Sequence, residues 1–254
     1  MLFRSMAKTQ AAPAADAAAF VELKIGDVIG GSYRLISLAG QGGMGSVYRA
    51  QHIGLNRQCA VKFLAPSMVS EETWRLFQKE AKIISSLTHS TICQIYDLGI
   101  HGRRLPFYAM DYIEGRTLDE VINRQGTLSV GATAELFIKV LDGLSYAHRR
   151  GVVHKDMKPS NIMLEKSADG QVQARILDFG ISELSDIKDS GSRSKNKESA
   201  VIGSAHYMSP EQFSGRGVDK TSDIYSIGCS LFETLSGLPP FAGEDFAELE
   251  REHI

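Results

Sequence analysis

Short runs that mix β-branched, aromatic and polar residues begin at about residue 33 and indicate β-strands. The runs cover residues 33–39, 46–52 and 58–64, and two more candidates lie near 94–98 and 106–111. The first two runs are separated by glycines, at Gly40, Gly42, Gly43 and Gly45. The first part of the chain is therefore predicted to be mainly β-sheet.

Within this β-rich part, the spacing of apolar residues changes to that of a helix in one segment. Ser70 can cap its N-terminus, and Glu71 and Glu72 suit the positive end of the helix dipole. Apolar residues then recur at steps of three and four, at Trp74, Phe77, Ala81, Ile84 and Leu87. This pattern predicts a helix with one apolar face.

After Gly115 the pattern becomes helical. A long helix is predicted after Ser129, and Gly151 occupies the position that ends it. Its apolar stripe is assigned to Val130, Ala134, Phe137, Ile138, Leu141, Leu144 and His148. A second helix at about 221–236 is apolar on more than one side and is expected to be central and buried. The chain is thus predicted to be α+β, with a small sheet and one main helix followed by a larger, mostly helical part.

Composition and charge exclude several classes of protein. Hydrophobic residues make up 43% and charged residues 23%, which argues against wholesale disorder. The net charge of −2 does not favour nucleic acid or a membrane surface as a partner, and no apolar run reaches the roughly 18 residues of a membrane span. Three distant cysteines favour a reducing cytoplasm over a disulfide framework or a zinc site. Residues 1–24, rich in alanine, are expected to form a disordered leader.

Residues 40–47 read GQGGMGSV and match the pattern G-x-G-x-x-G-x-V. Glycines let backbone N–H groups approach phosphate oxygens, because no Cβ obstructs them. A tight hairpin without a ligand is the alternative interpretation. A strand rather than a helix is predicted after the loop, which disfavours a dinucleotide-binding fingerprint.

Residues 154–161 read HKDMKPSN and bring three polar side chains into one predicted loop. Asp156 can orient and accept a hydroxyl proton, Lys158 can neutralise phosphate, and Asn161 can offer an oxygen to a hard cation. Three other charged positions are ordinary when each is taken alone. They are Lys62 on the third predicted strand, Glu80 on the first predicted helix, and Asp178 in the triplet D-F-G.

In this order, the motifs resemble those of the eukaryotic-like protein kinase family, and the glycine-rich loop looks most like that of its bacterial members. Residues 203–211, GSAHYMSPE, are similar to the family's G-T-x-x-Y-M-A-P-E, and residues 223–228, DIYSIG, to its D-x-W-S-x-G. The lysine in D-x-K-P-x-N is typical of the serine/threonine class. The resemblance covers about residues 30–254. It implies a bilobal protein kinase-like fold in a domain over 25–254, with an N-lobe at about 30–112 and a C-lobe at about 115–254.

The resemblance implies a phosphoryl transfer that uses ATP and Mg²⁺. Lys62 is expected to hold the α- and β-phosphates, and Glu80 to fix Lys62 through an ion pair. Asn161 and Asp178 are the expected ligands of Mg²⁺.

The same resemblance assigns the residues that meet the two substrates. Asp156 is expected to accept or orient the substrate hydroxyl, with Lys158 near the transferred phosphate. Met110 matches the gatekeeper, and the backbone of Asp111 and Ile113 is expected to bond the adenine edge. The remaining contacts to the nucleotide fall to Leu38, Gly40, Gln41, Gly42, Gly43, Met44, Gly45, Val47, Ala60 and Met163.

The sequence departs from the family pattern in its loops. Lys155 stands in place of the arginine of H-R-D, and a lysine offers a point charge where arginine offers a two-pronged contact to phosphate. This difference argues against activation by a phosphorylated loop. Ser204 and Ser209 replace the usual Thr and Ala, which we expect to be tolerated. Candidate phosphorylation sites remain at Ser182, Ser185, Ser190, Ser192, Ser194 and Ser199.

The sequence ends at Ile254, whereas members of the family continue with further helices. The C-lobe is therefore expected to lack its last helices, and Glu211 to lack the arginine that usually pairs with it. The helix at 221–236 is expected to expose an apolar patch, which would favour self-association.

The leading hypothesis is a cytoplasmic serine/threonine protein kinase that transfers the γ-phosphate of ATP to hydroxyls of protein substrates. The alternative is a nucleotide-binding pseudokinase or scaffold that is inactive through C-terminal truncation. Kinases of small molecules are disfavoured, because residues 203–211 resemble the segment that docks protein substrates.

Overall fold

The structure is a computed structural model, and it describes residues 23–42, 45–65, 70–102, 105–166, 170–179 and 203–254. Several predictions concern residues outside these ranges: most of the leader, Gly43 and Met44 of the glycine-rich loop, and the serine-rich loop with Ser182, Ser185, Ser190, Ser192, Ser194 and Ser199. The side chain of Glu80 also lies outside the description.

The chain divides into two compact units. The first comprises Met1–Lys82 and Ile95–Tyr112, and the second comprises Ile83–Gln94 and Ile113–Ile254. The chain thus leaves the first unit at Lys82, returns to it at Ile95, and leaves it again after Tyr112.

A six-stranded antiparallel sheet forms the body of the first unit, in the spatial order β1-β2-β3-β4-β6-β5. Its strands are β1 (Val28–Ile29), β2 (Tyr33–Gly42), β3 (Gly45–His52), β4 (Arg57–Leu64), β5 (Ile95–His101) and β6 (Leu105–Asp111). The predicted strands are therefore confirmed. Strands β4 and β6 are buried along most of their length.

Helix α1 (Glu71–Ser85) packs against this sheet through the predicted apolar face. Trp74 and Phe77 are buried, and the Phe77 ring lies 5.4 Å from the ring of Tyr108 on β6. Side chains alternate across a strand, so Phe107 points to the opposite side of the sheet, where its ring lies 6.1 Å from that of Phe63. Burial of each large aromatic side chain contributes about 1.5–3 kcal/mol.

The second unit is mainly helical and contains a small sheet in the order β7-β8-β9. Its described elements are β7 (Gly115–Thr117), α2 (Leu118–Gln125), α3 (Val130–His148), a 3₁₀ turn (Pro159–Asn161), β8 (Ile162–Lys166), β9 (Val172–Ile176), α4 (Pro210–Phe213), α5 (Lys220–Ser236) and α6 (Phe246–His253). The predicted start of this helix after Ser129 is confirmed, and the Ser129 hydroxyl caps it by accepting a hydrogen bond from the Ala132 N–H at 3.3 Å. The segment 83–94 belongs to this unit through a parallel bridge between Ile92 and Ile176. Across the described ranges, no helix combines the length and the apolar character needed to span a membrane.

The predicted apolar stripe on α3 is partly wrong, because it combined residues from the buried face of the helix with residues from its exposed face. Phe137 and Leu144 are buried as expected, whereas Val130 and Ile138 are 75% and 66% exposed. The buried face instead continues through residues that the stripe omitted, namely Thr133, Leu136, Val140, Gly143 and Ala147.

The prediction for α5 is also wrong in part, because its buried face is largely polar. Ile224 and Phe232 are 50% and 49% exposed, while most of the buried positions carry hydroxyl or carboxyl groups. Hydroxyl groups can remain buried in a helix when they bond a carbonyl oxygen one turn earlier. Three of them do so, from Ser226, Ser230 and Thr234 to the carbonyl oxygens of Ser222, Ser226 and Ser230.

Candidate active site

The structure brings together three of the residues predicted to act in catalysis, all in the second unit. Lys158 Nζ lies 2.8 Å from Asp156 Oδ2 and 3.0 Å from its Oδ1. Asn161 Nδ2 donates to the backbone oxygen of Asp156 at 2.6 Å and to its Oδ2 at 3.1 Å. The 3₁₀ turn that begins at Pro159 folds Asn161 back over the loop and buries it. The Asp156 carboxylate is thus held by a cation and an amide, which fixes its direction.

A buried carboxylate on α5 anchors the start of this loop. Asp223 accepts the backbone N–H groups of His154 at 2.8 Å and Lys155 at 2.7 Å, and its Oδ2 lies 2.7 Å from His148 Nε2. Its side chain is fully buried. A buried carboxylate is stable only when its oxygens are bonded, and these three contacts meet that requirement.

The backbone of Lys155 takes a left-handed conformation with φ 70°, which is uncommon for a residue other than glycine. Two contacts hold it there. Its N–H is bonded to Asp223, and its carbonyl oxygen accepts a hydrogen bond from Gln212 Nε2 on α4 at 2.9 Å. The strained position therefore lies directly before Asp156, where surrounding structure fixes it.

The loop is also joined to the segment that carries Asp178. The Leu177 N–H donates to the Asn161 carbonyl oxygen at 2.9 Å, and His154 Nε2 lies 2.7 Å from the Leu177 carbonyl oxygen. On the other side of Asp178, the Phe179 ring lies 4.6 Å from the His154 ring. Asp178 itself has a left-handed backbone with φ 54° and is partly buried.

Sequence reasoning missed the role of Ser204, which it treated only as a tolerated replacement. Lys158 Nζ donates to the Ser204 hydroxyl oxygen at 2.6 Å. The lysine therefore bridges the Asp156 carboxylate and the segment 203–211. The only sequence signal was that both residues lie in motifs of the same family.

Glu211 is bonded by a hydroxyl group, a partner that sequence reasoning did not anticipate. The hydroxyl of Ser222, at the start of α5, donates to Glu211 Oε1. This hydrogen bond lowers the pKa of Glu211, because it favours the ionised carboxylate. No sequence pattern singled out Ser222.

In the first unit, the residues predicted for the phosphates lie on the β2–β3 hairpin and on β4. Gly40 pairs with Val47, Gln41 with Ser46, and Gly42 with Gly45. At Gly45, with φ 145°, a Cβ would lie 1.8 Å from the Phe63 carbonyl oxygen, so only glycine fits. Leu38 precedes these residues on β2 and is half exposed.

The position of Lys62 is set by the pairing of β4 with β3. On β4 it pairs with Val47 and is buried, with 8% exposure, although lysine is normally exposed. Ala60, two residues earlier, pairs with Met110 on β6, and Asp111 ends that strand. Glu80 lies within α1. In the second unit, Ile113 is buried, and Met163 pairs with Thr117 in the small sheet.

A sheet unit with a glycine-rich hairpin and a helical unit with an Asp-Lys-Asn loop are the combination that defines protein kinases. Comparison with known proteins agrees with this class. The chain belongs to the protein kinase domain family, whose model matches residues 33–254. The predicted resemblance is therefore confirmed.

The chain is similar to several bacterial serine/threonine-protein kinases. It is 39% identical over 230 residues to a probable serine/threonine-protein kinase of Streptomyces coelicolor, covering 89% of this chain and 33% of that protein. It is 37% identical over 226 residues to PknB of Mycobacterium tuberculosis, covering 87% and 35%. The chain thus spans about a third of the length of these relatives.

A solved structure supports the fold. The crystal structure of the Mycobacterium tuberculosis PknI kinase domain aligns with a TM-score of 0.68 at 28% identity, covering 86% of this chain and 79% of that one. The predicted protein kinase fold is therefore confirmed.

Proposed function

We propose that the protein is a serine/threonine protein kinase that transfers the γ-phosphate of ATP to hydroxyl groups of protein substrates. The observation that carries the proposal is the anchored group of Asp156, Lys158 and Asn161. Phosphoryl transfer needs little covalent chemistry from the protein, so catalysis depends on positioning and on neutralising charge. The anchored loop supports both requirements.

Asp156 accepts or orients the proton of the attacking hydroxyl, which requires a carboxylate of fixed direction. Lys158 and Asn161 supply that direction through their contacts with both oxygens. Lys158 also balances negative charge on the transferred phosphoryl group. Its contact with Ser204 keeps the ammonium group at this position.

The donor set fits Mg²⁺. The amide nitrogen of Asn161 is engaged by Asp156, so its Oδ1 is directed away from that carboxylate and is the atom suited to a cation. Together with the Asp178 carboxylate it forms a set of hard oxygen donors, which Mg²⁺ prefers alongside nucleotide phosphates. The bound ion would neutralise charge that develops on the phosphates.

For the nucleotide itself, we propose the roles implied by the family. Lys62 holds the α- and β-phosphates and Glu80 pairs with Lys62, while the main chain of Asp111 and Ile113 bonds the adenine. The burial of Lys62 and the glycine-only position at Gly45 support this assignment. The proposal also counts Gly43 and Met44 among the residues that bind the nucleotide.

Transfer of radiolabel from γ-labelled ATP to a generic basic protein tests the proposal. The wild-type chain is expected to label the protein in the presence of Mg²⁺, and Asp156→Asn to abolish most of the labelling. Asp142→Asn is the matched control, because this aspartate is exposed on α3. Equal labelling by wild type and Asp156→Asn would contradict the role of Asp156. Thermal stabilisation by ATP and Mg²⁺ without any transfer would favour the pseudokinase alternative.

The proposal extends to partners and location. The partners are protein substrates that carry Ser or Thr, and the location is the cytoplasm. Apolar side chains exposed on α5, namely Ile224, Phe232 and Leu235, support self-association through this helix. Sedimentation velocity should show a concentration-dependent dimer that Phe232→Glu dissociates, and a wild-type chain that stays monomeric would contradict it.

A further inference from the structure

Two side chains from neighbouring strands hold the end of β6, and neither belongs to the proposed catalytic group. The Tyr96 hydroxyl, on β5, donates to the carbonyl oxygen of Met110 at 2.8 Å. Nη2 of Arg57, at the start of β4, lies 2.6 Å from Asp111 Oδ1. Met110 matches the family's gatekeeper position, and Asp111 is the first residue that bonds the adenine in the proposed function.

Tyr96 reaches Met110 because β5 contains a bulge. Pairing between β5 and β6 runs from Ile95 opposite Met110 to Asp97 opposite Ala109, so Tyr96 has no opposing residue. A bulge bends the strand and redirects a side chain. The hydroxyl of the extra residue thereby bonds a main-chain carbonyl group one residue before β6 ends.

The Tyr96 hydroxyl is suited to act as a permanent donor. Burial raises the pKa of Tyr96 above its usual value, and the neighbouring Cys59 thiol acts in the same direction. The phenol therefore stays protonated across the physiological range.

Arg57 acts on the last paired residue of β6. Asp111 pairs with Cys59 at the end of the β4–β6 ladder, and its carboxylate is only 15% exposed. The same guanidinium group lies 5.1 Å from the centre of the Tyr96 ring. One cation thus links both residues that hold this strand end.

We propose that Tyr96 and Arg57 are positioning residues for recognition of the adenine base. They fix the backbone of Met110 and Asp111, so that the main-chain groups of Asp111 keep one direction toward the nucleotide. The inference rests on the proposed function, because it takes ATP as the ligand. Backbone groups that bond the base distinguish adenine from other bases only if they keep a fixed direction. Fixing them in advance also lowers the cost of binding.

Binding of three probes to the full chain tests the inference, with Kd measured by calorimetry for ATP, GTP and inorganic tripolyphosphate. Tyr96→Phe removes only the hydroxyl, and Arg57→Met removes the charge but keeps an apolar stem over the ring. Each is expected to weaken ATP roughly three- to tenfold, the effect of losing about one hydrogen bond. The preference for ATP over GTP should narrow, while the Kd of tripolyphosphate, which has no base, should not change.

Two control variants remove similar groups from the same unit. Tyr33→Phe deletes a buried hydroxyl that donates to Asp97 Oδ2 at 2.7 Å, and Arg75→Met deletes an exposed partner of Glu71. Both should keep the wild-type Kd for ATP and the wild-type preference.

The inference would be overturned if both test variants kept the wild-type Kd for ATP, or if Tyr33→Phe weakened ATP binding equally. Either result would leave the proposed function intact. A wild-type chain that binds no ATP would overturn the proposed function together with the inference.

Discussion

The carboxylate of Asp223 on α5 accepts the backbone N–H of His154 at 2.8 Å, although 69 residues separate the two in sequence. With its second bond to Lys155, it fixes the main chain immediately before Asp156. The direction of the proposed catalytic carboxylate therefore depends on a helix that takes no part in the chemistry.

Replacing this anchor should impair phosphoryl transfer and stability together. Asp223→Asn places an NH₂ group among N–H donors, so we expect a loss of about 1–3 kcal/mol in unfolding free energy. Displacement of the loop should lower kcat by about 10²-fold. Urea denaturation and labelled-phosphate transfer measure the two effects.

Asp219→Asn is the control, because this residue caps the same helix and asparagine caps equally well. An Asp223→Asn variant with wild-type kcat would show that the loop keeps its direction without the anchor.

Removing the ammonium group beside Asp156 should act on the rate more than on nucleotide binding. Lys158→Met is expected to lower kcat by about 10²–10³-fold, the usual cost of losing one group that stabilises transition-state charge. The Kd for ATP should stay near the wild-type value. Steady-state transfer and calorimetry separate these quantities.

Lys139→Met is the matched variant, because the Lys139 ammonium group, on α3 of the same unit, donates to the Val172 carbonyl oxygen at 2.6 Å rather than to a carboxylate of the loop. This variant should keep the wild-type kcat. Unchanged kcat in Lys158→Met would argue against any charge role for this lysine.

Acid should destabilise the end of the second unit through His253. Burial lowers the pKa of His253; the neighbouring Glu252 carboxylate opposes this shift, and His206 adds to it. Above the unfolded value of about 6.5 the ring is neutral in both states, and below it the unfolded chain binds the proton more readily. Unfolding free energy should therefore fall as the pH drops below about 6.5.

The His253→Gln variant tests the source of this dependence, because glutamine can still bond the Tyr225 hydroxyl but does not titrate. Denaturation curves at several pH values should show a shallower decline in the variant. An identical slope in both proteins would assign the acid sensitivity to other groups.

The hydrogen bond between Ser222 and Glu211 should stabilise the protein at neutral pH. A carboxyl group whose pKa is lowered on folding stabilises above its unfolded pKa, and this stabilisation is lost as the pH falls. Ser222→Ala should therefore cost about 1 kcal/mol at neutral pH and less in acid. Ser214→Ala, which removes an exposed hydroxyl at the end of α4, should have a smaller effect at every pH.

Local patterns in the sequence predicted the elements well. The step of three and four residues identified α1, because Trp74 and Phe77 face one sheet. The motif at 154–161 identified three side chains that do meet, since they lie within one tight turn.

Contacts between distant residues could not be predicted in the same way. No periodicity indicates that Asp223 bonds His154, or that a bulge turns Tyr96 toward Met110. On α5 the pattern was misleading, because hydroxyl groups that bond their own helix can be buried as readily as apolar ones. The structure was needed wherever tertiary pairing decided the outcome.

The segment Ile83–Gln94 determines whether the two units can be produced as separate fragments. It lies between elements of the first unit in sequence, yet Cys93 N–H bonds the Ile176 carbonyl oxygen and Ile176 N–H bonds that of Thr91. Neither unit is therefore an uninterrupted piece of polypeptide. A fragment that ends at Tyr112 would contain residues 83–94 without the Ile176 backbone groups to which they bond. The remaining fragment would lack residues 83–94, which belong to its own unit.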